Sequence, residues 1–382
     1  MTPPAGSDGP VDLDDLAHLT PDLASLGWDD ELDAWAAANG GAGLVPGRLA
    51  RVSRGFSLVF TGGDALLAAS GSTRATDLGE PATGDFVLVR LDDDDGPVLA
   101  ALAPRRTALC RRAPGRYPEP QVLAANADAV LVMHGLDRDL NLRRIERQLV
   151  VAWDSGARPV VVLTKTDVAS DVETTSEAVA GAAPGVEVIT VSAADGEGLD
   201  RIHDLVEHHR AVVMLGLSGI GKSTLVNALS DGQVQRTGEV RAADRRGRHT
   251  TVTRDLIPLP SGGLVMDTPG IREIGLWQAR DGLDRAFPEI AEAAQGCRFA
   301  DCTHDAEPGC AVREATEAGL IRPRRLDHWR DLESELELQD TQLTEFARRA
   351  ESRQRADAEE QRERTRSARR NRRDPRDRRR RR

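Results

Sequence analysis

Aromatic residues are scarce in this chain, which has five Trp, one Tyr and six Phe among 382 residues. Long apolar runs are missing too, since none approaches the roughly 20 residues that cross a bilayer. The N-terminus is acidic and lacks the basic start and apolar stretch of a signal peptide. We therefore expect a cytoplasmic protein without membrane contact. Its apolar fraction of 40%, mostly Ala, Leu and Val, and its length allow two or three domains.

Charge is distributed unevenly along the chain. The segment 362–382 holds 13 Arg against three acidic residues, a net charge of +10. Because the whole chain carries −11, the remainder carries −21. An acidic body with an arginine-rich end predicts a basic, disordered tail at 351–382 that binds a polyanion such as nucleic acid in a salt-sensitive way. The alternative is a tail that only improves solubility or varies freely.

Short apolar runs separated by turn signals extend from residue 47 to about residue 112. Five such runs predict a small β-barrel, and an oligonucleotide-binding (OB) barrel is the commonest nucleic-acid reader of that size. We place the barrel at 46–113, after an N-terminal extension at 1–45 that we expect to be partly disordered. A short helix is possible at Glu31–Ala38. The predicted strands are Leu49–Val52, Phe56–Phe60, Ala65–Ala69, Phe86–Leu91 and Val98–Leu102.

Strands and helices alternate in the region 122–280. Compact apolar runs of this kind are typical of a buried parallel sheet, so we predict an α/β domain with three layers. An amphipathic helix is expected at 141–154, between the first two strands. The predicted strands are Ala129–Met133, Val160–Leu163, Val186–Val191, Ala211–Leu215 and Leu264–Met266.

A phosphate-binding loop of the pattern GxxxxGK[ST] follows the fourth of these strands and leads into an apparent helix, Ser223–Leu229. That context is what the motif requires, because backbone N–H groups and the helix N-terminus must surround phosphate oxygens. Lys222 is expected to reach the β- and γ-phosphates as a catalytic residue, and Ser223 to ligate Mg²⁺. The predicted nucleotide-binding residues of this loop are Gly216, Leu217, Ser218, Gly219, Ile220, Gly221, Lys222, Ser223 and Thr224.

A DxxG motif, Asp267 to Gly270, follows the last predicted strand. Asp267 is expected to hold Mg²⁺, directly or through water, and the Gly270 amide to sense the γ-phosphate. Thr250 and Thr251 lie between the two motifs, and one of them is the candidate switch threonine that closes on Mg²⁺.

The residue after DxxG is Ile271, where many GTPases carry a glutamine that orients the attacking water. Isoleucine cannot do this, so we expect slow intrinsic hydrolysis. His249 is the candidate for positioning or deprotonating the water. The alternative is that His249 contacts RNA phosphate or is structural.

A base-reading tetrapeptide follows the second α/β strand. Asp167 is expected to accept the guanine N1–H and amino group, and Lys165 to pack over the base. Thr164 stands where asparagine is usual. Ser192 and Ala193, at the end of the next strand, resemble a second base loop. The predicted base-binding residues are Thr164, Lys165, Thr166, Asp167, Ser192 and Ala193.

The order of these motifs is unusual. Ordinary GTPases run from phosphate loop to switch threonine, DxxG and base motif, whereas here the base motif comes first. The simplest interpretation is a circularly permuted GTPase domain.

Three cysteines and a histidine cluster downstream of that domain. Three sulfurs and one imidazole suffice to close a tetrahedral Zn²⁺ site, and four protein ligands indicate a structural role. A redox or chance cluster is the alternative. Cys110 stands apart and is read as a small apolar barrel residue. The predicted zinc ligands are Cys297, Cys302, His304 and Cys310.

Taken together, these motifs resemble the small-ribosomal-subunit-dependent GTPase A (RsgA) family. The resemblance runs from about Leu26 to Leu336. Besides the nucleotide and Cys/His motifs, it includes Pro46-Gly47-Arg48 at the start of the barrel and Pro104-Arg105-Arg106 at its end. It also includes the stretch Ala124–Asp128 that enters the α/β domain.

The resemblance implies three parts: an OB barrel, a permuted GTPase domain and a zinc-binding helical domain at 281–350. It also implies GTP with Mg²⁺, one structural Zn²⁺, and docking on the small ribosomal subunit and its rRNA late in assembly. The subunit would stimulate GTP hydrolysis, which would release the protein and other late assembly factors. We expect a monomer. Gly219 stands where potassium-activated GTPases carry asparagine, so potassium dependence is not predicted.

Two other classes of function remain open at this point. One is a nucleotide-controlled RNA-binding scaffold whose hydrolysis matters little, which Ile271 and the arginine-rich tail would fit. The other is a P-loop ATPase or kinase, against which Asp167 and the Ser192-Ala193 pair argue.

Overall fold

The computed structural model describes residues 21–41, 43–69, 80–92, 96–113, 119–209, 211–230, 254–267 and 275–372. Within these ranges the chain forms a barrel, an α/β sheet continuous with it, and a helical C-terminal part. No helix in this described part of the chain is long and apolar enough to cross a membrane.

The described strands nearest the N-terminus close into a barrel. The first strand pairs with both the second and the fourth, and the third pairs in parallel with the fifth, which gives the closed order 1-2-3-5-4-1. Alternate side chains such as Leu49, Val59 and Val87 fill its interior. The expected OB-type barrel is confirmed. Its elements are helix α1 (Asp30–Asn39) and strands β1 (Leu44–Val52), β2 (Phe56–Phe60), β3 (Ala65–Ala69), β4 (Phe86–Asp92) and β5 (Gly96–Leu102).

A hairpin that the sequence did not predict follows the barrel. Strands β6 (Ala108–Arg112) and β7 (Pro120–Ala125) pair only with each other among the described strands. Cys110 lies on β6, so its interpretation as a barrel residue is wrong. The hairpin lies between the barrel and the α/β sheet along the chain.

The α/β part has a parallel sheet with helices around it. Its central strand β8 (Ala129–Gly135) is buried along its whole length. Its first five residues are apolar, as expected for a strand that is covered on both faces. The strand order is β10-β9-β8-β11-β13-β12, with β12 antiparallel at the edge. The elements not yet bounded are β9 (Arg158–Thr164), β10 (Glu187–Val191), β11 (Ala211–Leu215), β12 (Asp255–Pro258), β13 (Leu264–Asp267), α2 (Leu142–Asp154), α3 (Val172–Ala180), α4 (Leu199–His209) and α5 (Lys222–Leu229).

Strand β12, which was also not predicted, joins the two sheets. It pairs with β13 on one side and with β1 of the barrel on the other, where Arg51 is opposite Asp255. The barrel and the α/β sheet are therefore one hydrogen-bonded surface.

The C-terminal helices pack on the α/β part. The longest of them lies against α2, where Glu146 is fully buried and accepts hydrogen bonds from Arg324 and Arg325 and contacts His328 Nδ1 at 2.5 Å. Burial alone would raise the pKa of Glu146, but the hydrogen bond with His328 and the two arginine charges lower it. The helices are α6 (Arg280–Ala286), α7 (Pro288–Ala294), α8 (Ala311–Glu317) and α9 (Pro323–Arg372).

Helix α9 corrects one expectation. Disorder was predicted from residue 351, but the helix continues to Arg372. The reason is local: 351–372 contains no Gly or Pro and is rich in Ala, Glu, Gln and Arg, which are strong helix formers. Residues 373–382 lie outside the described part.

Candidate functional site

The phosphate loop connects β11 to α5. Gly219 and Gly221 adopt positive φ angles of 77° and 97°, which only glycine takes without strain. A Cβ on Gly216 would lie 2.0 Å from Ile220 Cδ1 and 3.0 Å from the Met133 carbonyl oxygen, so a larger residue here would require the Ile220 side chain to move. The loop is therefore folded as its sequence pattern predicts, with its N–H groups and the N-terminus of α5 at one edge of the sheet.

Lys222 is the first residue of α5 and is 7% exposed. Its Nζ donates to the carbonyl oxygens of Gly216 at 2.8 Å and Leu217 at 3.0 Å. Burial lowers the pKa of Lys222, and the nearby charge of Asp267 works in the opposite direction. The ammonium group is thus already held within the loop where phosphate oxygens would arrive.

Asp267 ends β13, next to the loop. It is opposite Met214 in the pairing of β11 with β13, so its carboxylate and the start of α5 lie at the same edge. Ser223, the second residue of α5, is half-buried there. A hydroxyl and a carboxylate oxygen are ligands that Mg²⁺ prefers, so this pair fits that ion.

Thr164 ties the base motif to the phosphate loop. Its hydroxyl donates to the Ile220 carbonyl oxygen at 2.6 Å, and the residue is buried at the end of β9. The expected asparagine is absent, but this threonine makes the bridge between the two loops itself.

Lys165 makes a second bridge. It has a left-handed φ of 63°, and its Nζ donates to the Gly219 carbonyl oxygen and to Asp137 Oδ2, both at 2.7 Å. Burial alone would raise the pKa of Asp137, but hydrogen bonds from Lys165 and Arg138 lower it. Lys165 is therefore fixed beside the phosphate loop, where its alkyl chain can cover a base.

Asp167 is positioned by the next loop. Ser192 is fully buried, and its hydroxyl donates to Asp167 Oδ1 at 3.1 Å and lies 3.1 Å from Asp195 Oδ2. Ala193 follows Ser192 at the end of β10. Four loops after neighbouring parallel strands thus meet at one edge, which is where open α/β sheets bind ligands.

Two residues of this edge were missed from the sequence. Asp137 and Arg138 follow β8, and Arg138 approaches the Gly219 carbonyl oxygen at 3.5 Å. The sequence did carry a signal for these two residues. They are polar and directly follow strand β8, which lies between β9 and β11, the strands whose loops carry the base motif and the phosphate loop.

Several predicted site residues lie outside the described residues. They are His249, Thr250, Thr251 and Gly270. Thr166 and Thr224 are described, the first in a short 3-10 turn and the second exposed on α5.

The Cys/His cluster comes together between α7 and α8. Its four ligand atoms all lie within 4.8 Å of one another. His304 Nδ1 is 3.5 Å from the sulfurs of Cys297 and Cys310, and these sulfurs are 4.0 Å apart. Tetrahedral zinc requires S–S and S–N separations of about 3.5–3.8 Å. Cys297, Cys302, His304 and Cys310 therefore form a group that can hold a zinc ion.

Helix α9 packs against this cluster through Trp329 and Arg330. Trp329 lies against the His304 ring with centroids 5.3 Å apart, and Arg330 donates to the His304 carbonyl oxygen. These two contacts fix the backbone of His304 and pack against its ring.

Comparison with known proteins identifies close relatives. Residues 102–277 match the family model described as RsgA GTPase. A protein of Streptomyces coelicolor named small ribosomal subunit biogenesis GTPase RsgA is 46% identical over 314 residues, covering 81% of this chain and 85% of that one. A protein of the same name from Syntrophotalea carbinolica is 38% identical over 344 residues, covering 87% of this chain and 94% of that one.

Solved structures show the same fold. YjeQ from Thermotoga maritima superposes with a TM-score of 0.57 at 24% identity, covering 77% of this chain and 98% of that one. YloQ, described as a circularly permuted GTPase, gives a TM-score of 0.55 at 26% identity and covers 77% and 95%. The expectations of an OB-type barrel and a permuted GTPase domain are both confirmed.

Proposed function

This chain belongs to the RsgA GTPase family, and from that membership we propose that it binds the small ribosomal subunit and acts as a checkpoint late in the maturation of that subunit. It is a GTP-hydrolysing enzyme. The proposal adds that the subunit stimulates hydrolysis to GDP and phosphate, which then releases the protein together with late assembly factors. It further takes the protein to act as a cytoplasmic monomer. Its domain limits are 46–113 for the barrel together with strand β6 that follows it, 122–280 for the GTPase domain and 281–350 for the zinc-binding domain.

The subunit part of the proposal rests on family membership, and the observation that supports the GTP site is the contact between Lys165 and the Gly219 carbonyl oxygen. It brings a base motif from upstream in the chain against the phosphate loop, as a permuted GTPase requires. Asp167, held by Ser192, would accept the guanine N1–H and amino group. Selection of GTP over ATP follows, because adenine presents no such pair of donors.

Phosphate binding would use the loop's own groups. The N–H groups of residues 216–224 and the N-terminus of α5 would surround the β- and γ-phosphates. Lys222 would move from the carbonyl oxygens of Gly216 and Leu217 to the phosphates, where its charge stabilises the transition state. Ser223, Asp267 and one of Thr250 and Thr251 would hold Mg²⁺, which neutralises phosphate charge when bound.

Water activation is assigned to His249, because Ile271 carries no group that orients water. An imidazole can position the attacking water and accept its proton as the bond to the γ-phosphorus forms. The Gly270 amide would sense the γ-phosphate. We propose that His249 reaches this position only on the subunit, which makes hydrolysis depend on docking.

Contact with rRNA is assigned to the barrel, the zinc domain and the arginine-rich end. One structural zinc ion would stabilise the segment 297–310, where few apolar residues are available to do so. The 13 Arg of residues 362–382 would bind RNA phosphate in a salt-sensitive way.

The test is GTP hydrolysis by the purified protein, alone and with purified small subunits, with ATP as the control nucleotide. We expect a large rise that requires both GTP and small subunits. Lys222→Ala should abolish turnover in both conditions, whereas Glu173→Gln on the exposed surface of α3 should leave it unchanged.

His249→Ala should lower stimulated turnover more than nucleotide affinity. Absence of any rise with small subunits, with GTP-dependent subunit binding retained, would overturn the checkpoint and favour the RNA-binding scaffold instead. In that case His249 would be a contact residue and not a catalyst.

A further inference from the structure

The backbone of the segment 275–279, downstream of the DxxG motif, is hydrogen-bonded by residues from outside the nucleotide site. The segment 275–279 follows Gly270 after four residues and leads into α6. Leu276 and Ala279 are each 1% exposed, so the segment is anchored in the core. Gln278 between them has a positive φ of 49°, which a side chain rarely adopts. This backbone conformation needs partners that hold it.

The side chain of Gln339 on α9 makes two hydrogen bonds to this backbone. The side chain is 3% exposed, its Oε1 accepts the Gln278 N–H at 3.0 Å, and its Nε2 donates to the Leu276 carbonyl oxygen at 2.8 Å. A buried primary amide that bonds a backbone donor and a backbone acceptor two residues apart fixes the position of that short stretch. The stretch and helix α9 are therefore joined at one point.

Arg112 of the hairpin holds the same segment from the other side. Its backbone N–H donates to the Gly275 carbonyl oxygen at 3.2 Å, and its guanidinium donates to Gln342 Oε1 at 2.8 Å. Gln342 lies three residues after Gln339, about one turn along α9. The hairpin, the segment 275–279 and helix α9 therefore each contact the other two.

Ion pairs keep the helix aligned with this segment. Arg280, the first residue of α6, pairs with Glu333 and with Asp340, the latter at 3.0 Å. These pairs are partly exposed and contribute little stability each, but Glu333 and Asp340 lie on either side of Gln339 along the helix. A displacement of 275–280 relative to α9 would have to break these pairs and the hydrogen bonds of Gln339.

We propose that Gln339 is a positioning residue of this GTPase, which links the backbone after DxxG to helix α9 and so makes that helix follow the nucleotide state. The proposal rests on the proposed function, because it assumes that the DxxG region responds to the γ-phosphate. Arg112 and Gln342 extend the link to the hairpin beside the barrel. The hairpin beside the barrel and helix α9, the two parts that would face RNA, are then connected to the same segment, 275–279.

The experiment compares amide hydrogen exchange of the full chain bound to GDP and to GTPγS, each with Mg²⁺. In the native protein, exchange at 276–280 and at 336–343 should differ between the two nucleotides by about tenfold, the size of a typical coupling. In Gln339→Leu, the difference should disappear at 336–343 and remain in the phosphate loop. Gln339→Glu, which keeps the acceptor and loses the donor, should be intermediate.

The control is Ser334→Ala, an exposed site on the same helix that should preserve the native difference. Gln339→Leu should still bind GDP and keep the native exchange rates in the phosphate loop, which shows that its nucleotide-binding part is folded. If Gln339→Leu does not fold, Gln342→Leu at a half-buried position takes its place, with a partial loss expected.

Equal exchange at 336–343 with both nucleotides in the native protein would overturn the link, as would a nucleotide difference that Gln339→Leu leaves intact. Neither result depends on ribosomal subunits. A native protein that shows the exchange difference but no stimulation by subunits would refute the proposed function and leave the link standing.

Discussion

The guanidinium of Arg51 on the barrel strand β1 forms a two-point ion pair with the carboxylate of Asp255 on the α/β edge strand β12. The Nε–Oδ1 and Nη2–Oδ2 distances are 2.5 and 2.8 Å, and both side chains are at most 7% exposed. This pair lies where the two sheets become one. It fixes the barrel against the nucleotide-binding part through a contact that neither part has alone.

Removal of one partner from this pair should destabilise the protein strongly. We expect Arg51→Met to lower the free energy of unfolding by about 3–5 kcal/mol, because Asp255 is left charged and buried. Urea unfolding followed by circular dichroism measures the change, and Arg54→Met at an exposed position is the matched control. The double variant Arg51→Met with Asp255→Leu should recover most of the loss. A double variant as unstable as the single one would show that the charge pair is not the cause.

The Thr164 hydroxyl should contribute to nucleotide affinity. Thr164→Val keeps the branched shape and removes the bond to the Ile220 carbonyl oxygen, so we expect GDP to bind about tenfold more weakly, the equivalent of one net hydrogen bond. Fluorescent-GDP titration measures this. Thr174→Val, the same change at an exposed position of α3, should leave affinity native. Unchanged affinity in Thr164→Val would mean that the loops are held together by Lys165 alone.

Asp154 should make the protein less stable at neutral pH than in mild acid. Partial burial of the carboxyl group and the charge of Asp281 raise the pKa of Asp154 to about 6, against a hydrogen bond from the Gly282 backbone, although more than a third of the residue is exposed. Because the raised pKa favours the protonated form in the folded state, ionisation of Asp154 destabilises the folded protein. This loss of stability is absent below about pH 4, grows as the pH rises to about 6 and is complete above that.

Asp154→Asn removes this ionisation and keeps the acceptor for Gly282. After allowance for solvent screening, we expect it to raise the free energy of unfolding by about 1 kcal/mol at pH 7.5 and to have no effect near pH 4. Denaturant unfolding at the two pH values gives the answer, with Asp139→Asn at an exposed site as control. A gain of equal size at both pH values would rule out ionisation as the reason.

Zinc removal should unfold the segment around residues 297–310. The purified protein should contain one zinc ion per chain, and a strong chelator should lower the midpoint of thermal unfolding. Cys310→Ala should lose the metal, whereas Cys110→Ala, outside the cluster, should retain it. Metal analysis combined with thermal unfolding tests this. Full thermal stability after complete removal of the metal would contradict a structural role.

The sequence alone determined the elements whose signal is local. Phe56–Phe60, Ala65–Ala69 and Ala211–Leu215 were predicted with the bounds that the structure has, because apolar runs between turn residues define a buried strand without reference to other parts of the chain. The nucleotide motifs are local in the same sense, since the loop after a strand needs particular residues at fixed spacing. Their order along the chain identified the permutation.

The tertiary structure decided what depends on partners far away in sequence. Strand β12 has four residues, and its identity comes from pairing with β13 and β1. Strand β6 carries two arginines among its five residues and is a strand because β7 pairs with it. Arg51 and Gln339 look like ordinary polar residues in the sequence, since a polar residue becomes buried only when a distant partner supplies its hydrogen bonds. Such partners follow from the packing of the whole chain, which no local pattern encodes.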